Sequence, residues 1–180
     1  MANQKGGRPT EEEIAAKRAA RAAKKAEKLA ADEEGHIFTS EQLLTYTFAE
    51  HELSIQEDWS GEGSALAGMQ WLGGVTLARF VDDRVRYPPG YFSGKSVMEV
   101  GAGMGMTSIL LALLGADVTL TDLDIGKAVL NVEANLTTAP DARKRLRLAT
   151  MDWYAPDLER FTLPVDMVVA GDCCYQVCGI

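Results

Sequence analysis

The chain has 180 residues, and 47% of them are hydrophobic, which is enough to bury the core of one sizeable domain. No apolar run reaches the ~18 residues that a membrane-spanning helix requires, and no secretory apolar segment follows Met1. The net charge is −8 at pH 7: residues 1–34 hold eight of the 18 basic and seven of the 26 acidic side chains, and the remainder holds ten and 19. Such an acidic core lacks the basic surface that non-specific nucleic-acid binding requires, and it is compatible with a cationic substrate.

Residues 1–34 are rich in Ala, Lys, Arg and Glu, and we call them the N-terminal tail. Thr10 is placed to cap a helix, but Ile14 and Leu29 are the only large apolar residues after the initiator, so this helix would have no face to bury. The composition predicts a solvated helix or a disordered segment. The alternatives are a contact arm for a partner or for nucleic acid, or a targeting segment, although the acids at 11–13 argue against a transit peptide.

Residues 35–95 are predicted to be a lead-in to the main domain. Alternation predicts short strands over Phe38–Phe48 and Leu53–Glu57. An apolar periodicity predicts a helix over Met69–Val81, and the Pro-Pro-Gly sequence at 88–90 then breaks the chain.

Residues 96–180 show the pattern strand–helix–strand–helix–strand–strand, which predicts a mostly parallel sheet covered by helices on both faces. This is the Rossmann-like, doubly wound α/β fold class. The predicted strands are Val97–Val100, Ala116–Thr121, Arg147–Met151 and Val165–Ala170, and the predicted helices are Met106–Leu114 and Ile125–Leu136.

The turn after the first of these strands carries Glu99 and then a glycine-rich segment, Gly101–Gly105, which we call the glycine loop. A nicotinamide-binding turn reads G-x-G-x-x-G and would place its third glycine at position 106, where this chain has Met106. The spacing here is E-x-G-x-G-x-G, which resembles motif I of S-adenosylmethionine (SAM)-dependent methyltransferases. SAM has no pyrophosphate, so close approach to the backbone is more useful to it than anion binding. A glycine-rich turn of another α/β protein is the open alternative.

The second strand leads to Asp122, 21 residues after Gly101. An acid about 20 residues after the glycine loop accepts hydrogen bonds from a ribose hydroxyl in nucleoside-binding α/β folds. Asp124 is a second candidate for this role, and a solvated carboxylate at a strand end is the alternative reading. Ligands of such sheets bind beyond the carboxyl ends of the strands, and Asp152-Trp153 and Asp172–Tyr175 also follow predicted strands.

Cys173, Cys174 and Cys178 are the three cysteines of the chain. An odd, clustered set fits no disulfide framework and favours a reducing compartment. The two histidines are not at ligand spacing from them, so no metal site is predicted.

Together these motifs resemble the seven-β-strand protein-lysine methyltransferases of the methyltransferase-16 (methyltransferase-like 21) group, over about residues 53–176. The glycine loop is generic to methyltransferases, whereas the D-x-x-Y sequence after the fourth strand, the N-V-E-A-N helix and the upstream Trp are much more specific. The match is carried by Trp71, Leu77–Phe80, Gly94–Gly105, Val118–Asp122, Asn131–Leu136, Met151–Trp153 and Asp172–Tyr175.

The resemblance implies a SAM site. Its amino-acid end and sulfonium would lie against Glu99, Gly101, Ala102, Gly103 and Gly105. Asp122 would bind the ribose, Asp152 and Trp153 would flank the adenine, and Trp71 would close the methionine side. A core aromatic is the alternative for Trp71.

The resemblance also implies a substrate end at Asp172 and Tyr175. Asp172 would orient the incoming lysine amine, and Tyr175 would form a channel wall with a hydroxyl tip. The alternative is that Asp172 only ties down its loop. Asn131 and Asn135, four apart on one helix, are expected to be structural, one of them tying the helix to a neighbouring loop.

The expected function is therefore methyl transfer from SAM to a protein lysine, in the cytoplasm or else the nucleus, with no membrane partner. The alternatives are a protein histidine, an N-terminus or a small molecule as acceptor, or a truncated, non-catalytic form that binds partners through the N-terminal tail or an open sheet edge. The family fold continues beyond D-x-x-Y, whereas this chain stops at Ile180. A strand order of 3-2-1-4 would leave Val165–Ala170 as an apolar edge, so we expect the 180-residue form alone to be poorly stable and weakly active, unless another chain completes the sheet.

Overall fold

The structure is a computed structural model that describes residues 41–48, 50–58 and 68–173. The N-terminal tail and Tyr175 lie outside these residues. The elements below belong to one compact unit, and the short stretch Trp153–Pro156 is not part of it.

Two antiparallel strands form a hairpin, β1 (Glu41–Phe48) and β2 (His51–Asp58). Every second residue of β2 is buried, beginning with Leu53 and Ile55, because successive side chains of a strand point to opposite faces. The two predicted short strands are confirmed over the described residues, while positions 38–40 of the first lie outside them. Strand β2 is three residues longer than the alternation indicated.

Helix α1 spans Leu72–Val81 and buries Ala78 and Val81. The predicted start at Met69 is wrong by three residues. Trp71 has an extended backbone, with φ −76° and ψ 149°, and it forms the N-cap without a capping side chain of its own.

Four parallel strands form the main sheet: β3 (Ser96–Val100), β4 (Asp117–Asp122), β5 (Leu146–Thr150) and β6 (Met167–Val169). They lie in the order β5-β4-β3-β6, which confirms the predicted order 3-2-1-4.

Strand β6 is shorter than the predicted Val165–Ala170. Asp166 accepts hydrogen bonds from both the backbone N–H and the hydroxyl of Ser96, each at 2.8 Å, and these bonds lower the pKa of the Asp166 carboxyl. Asp166 N also donates to Ser96 O at 2.9 Å, so both the backbone and the side chain of Asp166 bind Ser96 just before β6 begins.

The helices that follow β3 and β4 are α2 (Met106–Leu113) and α3 (Gly126–Leu136), close to their predicted bounds. Seven of the eight residues of α2 are buried, which makes it the centre of the core. A further helix, α4 (Pro140–Arg145), was not predicted, and a short 3-10 helix covers Leu158–Arg160. No helix in the described part of the chain is long and apolar enough to cross a membrane.

Two asparagines of α3 hold the hairpin in place. The Asn135 amide accepts from Ser54 N at 2.8 Å and donates to Ser54 O at 2.7 Å. Asn131 binds Gln56 in the same way, at 2.8 and 3.3 Å. Each side-chain amide thus binds the N–H and the C=O of one residue of β2, as the backbone of a neighbouring strand would. Both asparagines are structural, as expected, but they bind a strand and not a loop.

Candidate active site

Four acidic residues lie at or just beyond the ends of the four parallel strands. Glu99 lies in β3 and Asp122 ends β4, while Asp152 comes two residues after β5 and Asp172 three residues after β6. Because all four strands are parallel, these residues lie along the same edge of the sheet, which we call the carboxyl edge.

The glycine loop is bound to the end of β4. Ala102 N donates to Thr121 O at 3.0 Å, and Gly103 N donates to the Asp122 carboxylate at 2.8 Å. Gly101, Gly103 and Gly105 all have positive φ. A Cβ on Gly105 would lie 2.8 Å from Leu120 Cδ1, so another residue here would have to displace Leu120 and adopt a left-handed backbone, which glycine adopts freely.

Asp122 accepts from two backbone donors. Besides Gly103 N, its carboxylate receives Asp124 N at 3.3 Å. A carboxylate offers about four lone-pair sites, so Asp122 retains capacity for the hydroxyls of a ribose. Asp124, the second candidate, accepts from Gly126 N at 3.0 Å at the start of α3. The loop-holding role of Asp122 was not predicted.

Glu99 is a buried carboxyl, only 3% exposed, and it accepts a hydrogen bond from the Ser108 hydroxyl of α2. Burial raises the pKa of Glu99 to about 7, and the nearby Asp122 adds to the rise, against the lowering effect of hydrogen bonds from Ser108 and Thr107. A cation bound beside Glu99 would favour its ionised form. The site is therefore suited to an ammonium or sulfonium group.

Trp71 is 41% exposed, so the alternative of a core aromatic is wrong. The backbone on both sides of it is bound to carboxylates. Gln70 N donates to Glu57 Oε1 at 2.6 Å, and Gly73 N donates to Asp172 Oδ2 at 2.7 Å. The side-chain oxygen of Gln70 is itself buried, with no hydrogen-bond partner in the described part of the chain, and a ligand donor would satisfy it.

Asp172 has a left-handed backbone, with φ of 57°, and its carboxylate reaches the first turn of α1. It therefore ties its loop to α1, which is the alternative considered for it, and its action on a substrate amine stays a prediction. Beside it lies an open groove of about 510 Å³, lined by α1 from Leu72 to Phe80 and by Ala170–Asp172.

Asp152 is partly buried just beyond β5, and the preceding Met151 N donates to Asp122 O at 2.8 Å. This bond keeps the end of β5 beside the end of β4. Trp153 is 44% exposed and belongs to the separate stretch Trp153–Pro156. Its contact with an adenine stays a prediction.

The structure thus brings together Glu99, the glycine loop and Asp122, and it joins the loop of Asp172 to the turn that carries Trp71. The sequence reasoning missed Ser108 and Glu57. Glu57 left a signal: it follows Leu53 and Ile55 at the spacing of two that marks buried positions of a strand. A charged residue at such a position rarely lacks a partner.

A parallel sheet in this order, with a glycine loop and an acid at the end of the next strand, defines a nucleoside-binding α/β domain. A family model described as lysine methyltransferase matches residues 47–179. The chain belongs to this lysine methyltransferase family, which confirms the predicted family and fold class. The prediction of a SAM-dependent methyltransferase is confirmed at the level of the family.

Two curated relatives from Mus musculus show how far the similarity extends. Protein N-lysine methyltransferase METTL21A is 33% identical over 136 residues, which cover 74% of this chain and 58% of the relative. EEF1A lysine methyltransferase 3 is 32% identical over 130 residues, which cover 72% of this chain and 53% of the relative. The chain therefore spans a little over half the length of these relatives.

Among solved structures, the T. Thermophilus 16S rRNA N2 G1207 methyltransferase (RsmC), in complex with AdoMet and guanosine, superposes with a TM-score of 0.51. It is 21% identical, and the match covers 81% of this chain and 36% of that one. This similarity shows the fold alone.

Proposed function

We propose that this chain is the cofactor-binding part of a SAM-dependent methyltransferase that modifies a lysine side chain of a protein. The observation that carries the proposal is a buried carboxyl, Glu99, in the strand before a glycine loop that is bound to Thr121 O and to the Asp122 carboxylate at the end of β4. The family of the chain supports the same reaction.

The residues at the carboxyl edge fit the parts of SAM. Glu99 would receive the ammonium of the amino-acid end, because a buried carboxyl with a raised pKa is stabilised in its ionised form by an adjacent cation. Gly101, Ala102, Gly103 and Gly105 would approach the cofactor through their backbone. Asp122 would accept from the ribose hydroxyls with the lone pairs that the loop leaves unused.

Three further residues would close the cofactor site. Asp152 and Trp153 would flank the adenine, the indole supplying an apolar face. Trp71 would cover the methionine side, since its backbone is anchored at Gln70 and Gly73 while its side chain stays accessible.

When bound, SAM would supply an electrophilic methyl group on a sulfonium. The neutral amine nitrogen would bond to the methyl carbon as the carbon–sulfur bond breaks, and the demethylated thioether would leave in line. The protein has to align the amine, and such alignment contributes roughly 7–11 kcal/mol to lowering the barrier. A lysine amine, with a reference pKa of ~10.4, must first lose its proton to bulk water. The apolar lining of the groove along α1 would favour the neutral amine by desolvation. Asp172 would orient the amine, and Tyr175, which lies outside the described residues, would form the channel wall.

The substrate would be a protein segment with a basic residue, which the acidic core suits, and the expected compartment is the cytoplasm, with the nucleus as the alternative. The N-terminal tail and the β6 edge, where Val168 is 61% exposed, are our candidates for partner contacts.

Two measurements test the proposal. Calorimetry should show SAM binding by the wild-type chain, with binding lost in Asp122→Ala. Incubation of a cell extract with methyl-labelled SAM, followed by mass spectrometry, should place the label on lysine. Label on histidine, on an N-terminus or on a small molecule would show that lysine is not the acceptor. Absence of SAM binding at millimolar concentrations would refute SAM as the cofactor.

A further inference from the structure

Strand β2 buries a carboxylate that the proposed chemistry does not use. Glu57 is 4% exposed and occupies the inward position that follows Leu53 and Ile55. Charged side chains are rarely buried to this degree unless hydrogen bonds compensate the loss of water. The buried carboxyl group of Glu57 is therefore expected to have specific hydrogen-bond partners.

A described partner of Glu57 is the backbone just before Trp71. Gln70 N donates to Glu57 Oε1 at 2.6 Å. The bond joins residues 13 positions apart, and it fixes the entry to α1 at the residue that precedes the indole.

A second carboxylate holds the other side of Trp71. Asp172 Oδ2 accepts from Gly73 N at 2.7 Å, across 99 positions of sequence. Helix α1 has no capping side chain at its own N-cap, so Asp172 takes the place of one, while Glu57 binds the residue just before the N-cap. The backbone at Trp71 is thus anchored at both ends, and its side chain is left 41% exposed for a ligand.

The strand that carries Glu57 is itself bound to α3, a helix that packs in the cofactor-binding unit. Asn131 and Asn135 bind the backbone of Gln56 and Ser54 from α3, the helix that follows Asp122. The bond of Gln70 N to Glu57 is separate from these contacts, so the hairpin can be loosened at Ser54 without removing it.

We infer that Glu57 is a positioning residue of the SAM site: through Gln70 it sets the place of Trp71 at the methionine side of the cofactor. The inference rests on the proposed function. The role requires an acceptor oxygen at this position, which a glutamine also offers, and it does not require the charge.

The test compares Glu57→Ala and Glu57→Gln with a matched control, Asn135→Ala, which loosens the same hairpin at Ser54 and leaves the bond to Gln70 in place. SAM affinity is measured by calorimetry and the melting temperature by differential scanning fluorimetry, on the whole chain. We expect Glu57→Ala to weaken SAM binding by about tenfold and Glu57→Gln to stay within about threefold of wild type. Asn135→Ala should lower the melting temperature but keep SAM affinity within about threefold.

Unchanged SAM affinity in Glu57→Ala, or equal weakening in Asn135→Ala, would overturn the inference. A second measurement applies if Glu57→Ala fails to fold: in the Trp71→Ala background, Glu57→Gln and Glu57→Asp should no longer change SAM affinity, since the group that they position is gone. A further loss with Glu57→Asp in that background would also contradict the inference. Failure of the wild-type chain to bind SAM would refute the proposed function itself, which keeps the two outcomes distinct.

Discussion

Gly105 and Gly90 have almost the same backbone conformation, with φ of +81° and +83°, in different surroundings. A Cβ on Gly105 would lie 2.8 Å from Leu120 and 3.4 Å from Ala128, whereas a Cβ on Gly90 would have no atom within 4 Å. Comparing alanine substitutions at the two positions therefore separates the cost of a left-handed backbone from the cost of a steric clash.

We predict that Gly90→Ala costs about 1 kcal/mol of unfolding free energy and Gly105→Ala about 2–4 kcal/mol, because the second adds overpacking to backbone strain. Urea denaturation of both variants measures the difference, and SAM affinity should fall in Gly105→Ala only. Equal losses of stability in the two variants would show that Leu120 gives way and that the loop has room.

Glu99 makes the stability of the protein depend on pH. Burial raises the pKa of Glu99 from the usual 4.5 to about 7. The folded protein therefore holds a proton that the unfolded chain has released between about pH 4.5 and pH 7, and the contribution of Glu99 to stability falls as the pH rises through this range. Above pH 7 the loss is complete.

Glu99→Gln cannot ionise, so its unfolding free energy lacks this dependence on pH. We predict that, relative to wild type, the unfolding free energy of Glu99→Gln rises by about 2–3 kcal/mol as the pH is raised from 5 to 8. Denaturant unfolding of both proteins across this range measures the gain, and the difference removes the contribution of the other carboxyls. SAM should bind the wild type more tightly above pH 7 than below it, since the ionised carboxylate favours the cation. A stability difference that does not vary with pH would contradict the assignment of this pKa.

At the scale of elements, the hairpin depends on α3 through two side chains. Asn131 and Asn135 each pair with one N–H and one C=O of β2, so removing an amide leaves two backbone groups to find water. We predict that Asn131→Ala and Asn135→Ala each cost about 1–3 kcal/mol. Leu130→Ala, on the same helix and 64% exposed, is the control and should cost little.

Hydrogen exchange checks this prediction locally. The amides of Ser54 and Gln56 should exchange faster in the matching variant, while the amides of β4 keep their protection. Uniform acceleration across the whole chain would instead mean that the hairpin does not open separately, and that the asparagines stabilise the domain as a unit.

The elements also show what the sequence could predict. Strands β3 to β5 and helices α2 and α3 were predicted because each is an apolar run with a clear period between turn residues. Helix α4 was missed because it has six residues and buries only Ala142, so it has no apolar period to detect. Strand β6 was predicted too long because Val165 and Ala170 extend the apolar pattern beyond the paired residues Met167–Val169.

The candidate site likewise has a part that the sequence predicted and a part that it could not predict. Glu99, the glycine loop and Asp122 were predicted because their spacing along the chain reflects one strand–turn–helix unit and the next strand. The contacts of Glu57 with Gln70 and of Asp172 with Gly73 could not be predicted, since they depend on how α1 packs between distant segments. Site residues that are close in sequence can be predicted from their spacing, whereas the anchoring of Trp71 depends on tertiary contacts.

At the scale of the whole molecule, the candidate site spans the ends of neighbouring strands. The glycine loop follows β3 and binds Asp122 of β4, and the backbone of Asp122 binds Met151 after β5. A ligand that holds these residues together would stabilise the folded domain as a whole, because it binds the folded state and not the unfolded chain.

We predict that SAM at about 100 times its dissociation constant adds about 2.7 kcal/mol of stability, seen as a rise in melting temperature by scanning fluorimetry. Asp122→Ala should remove most of this rise. A nicotinamide dinucleotide is the matched ligand control: the loop has Met106 where a dinucleotide site would have glycine, so no rise is expected. A rise with the dinucleotide and none with SAM would overturn the assignment of the cofactor, because the same edge of the sheet would then be shaped for a pyrophosphate.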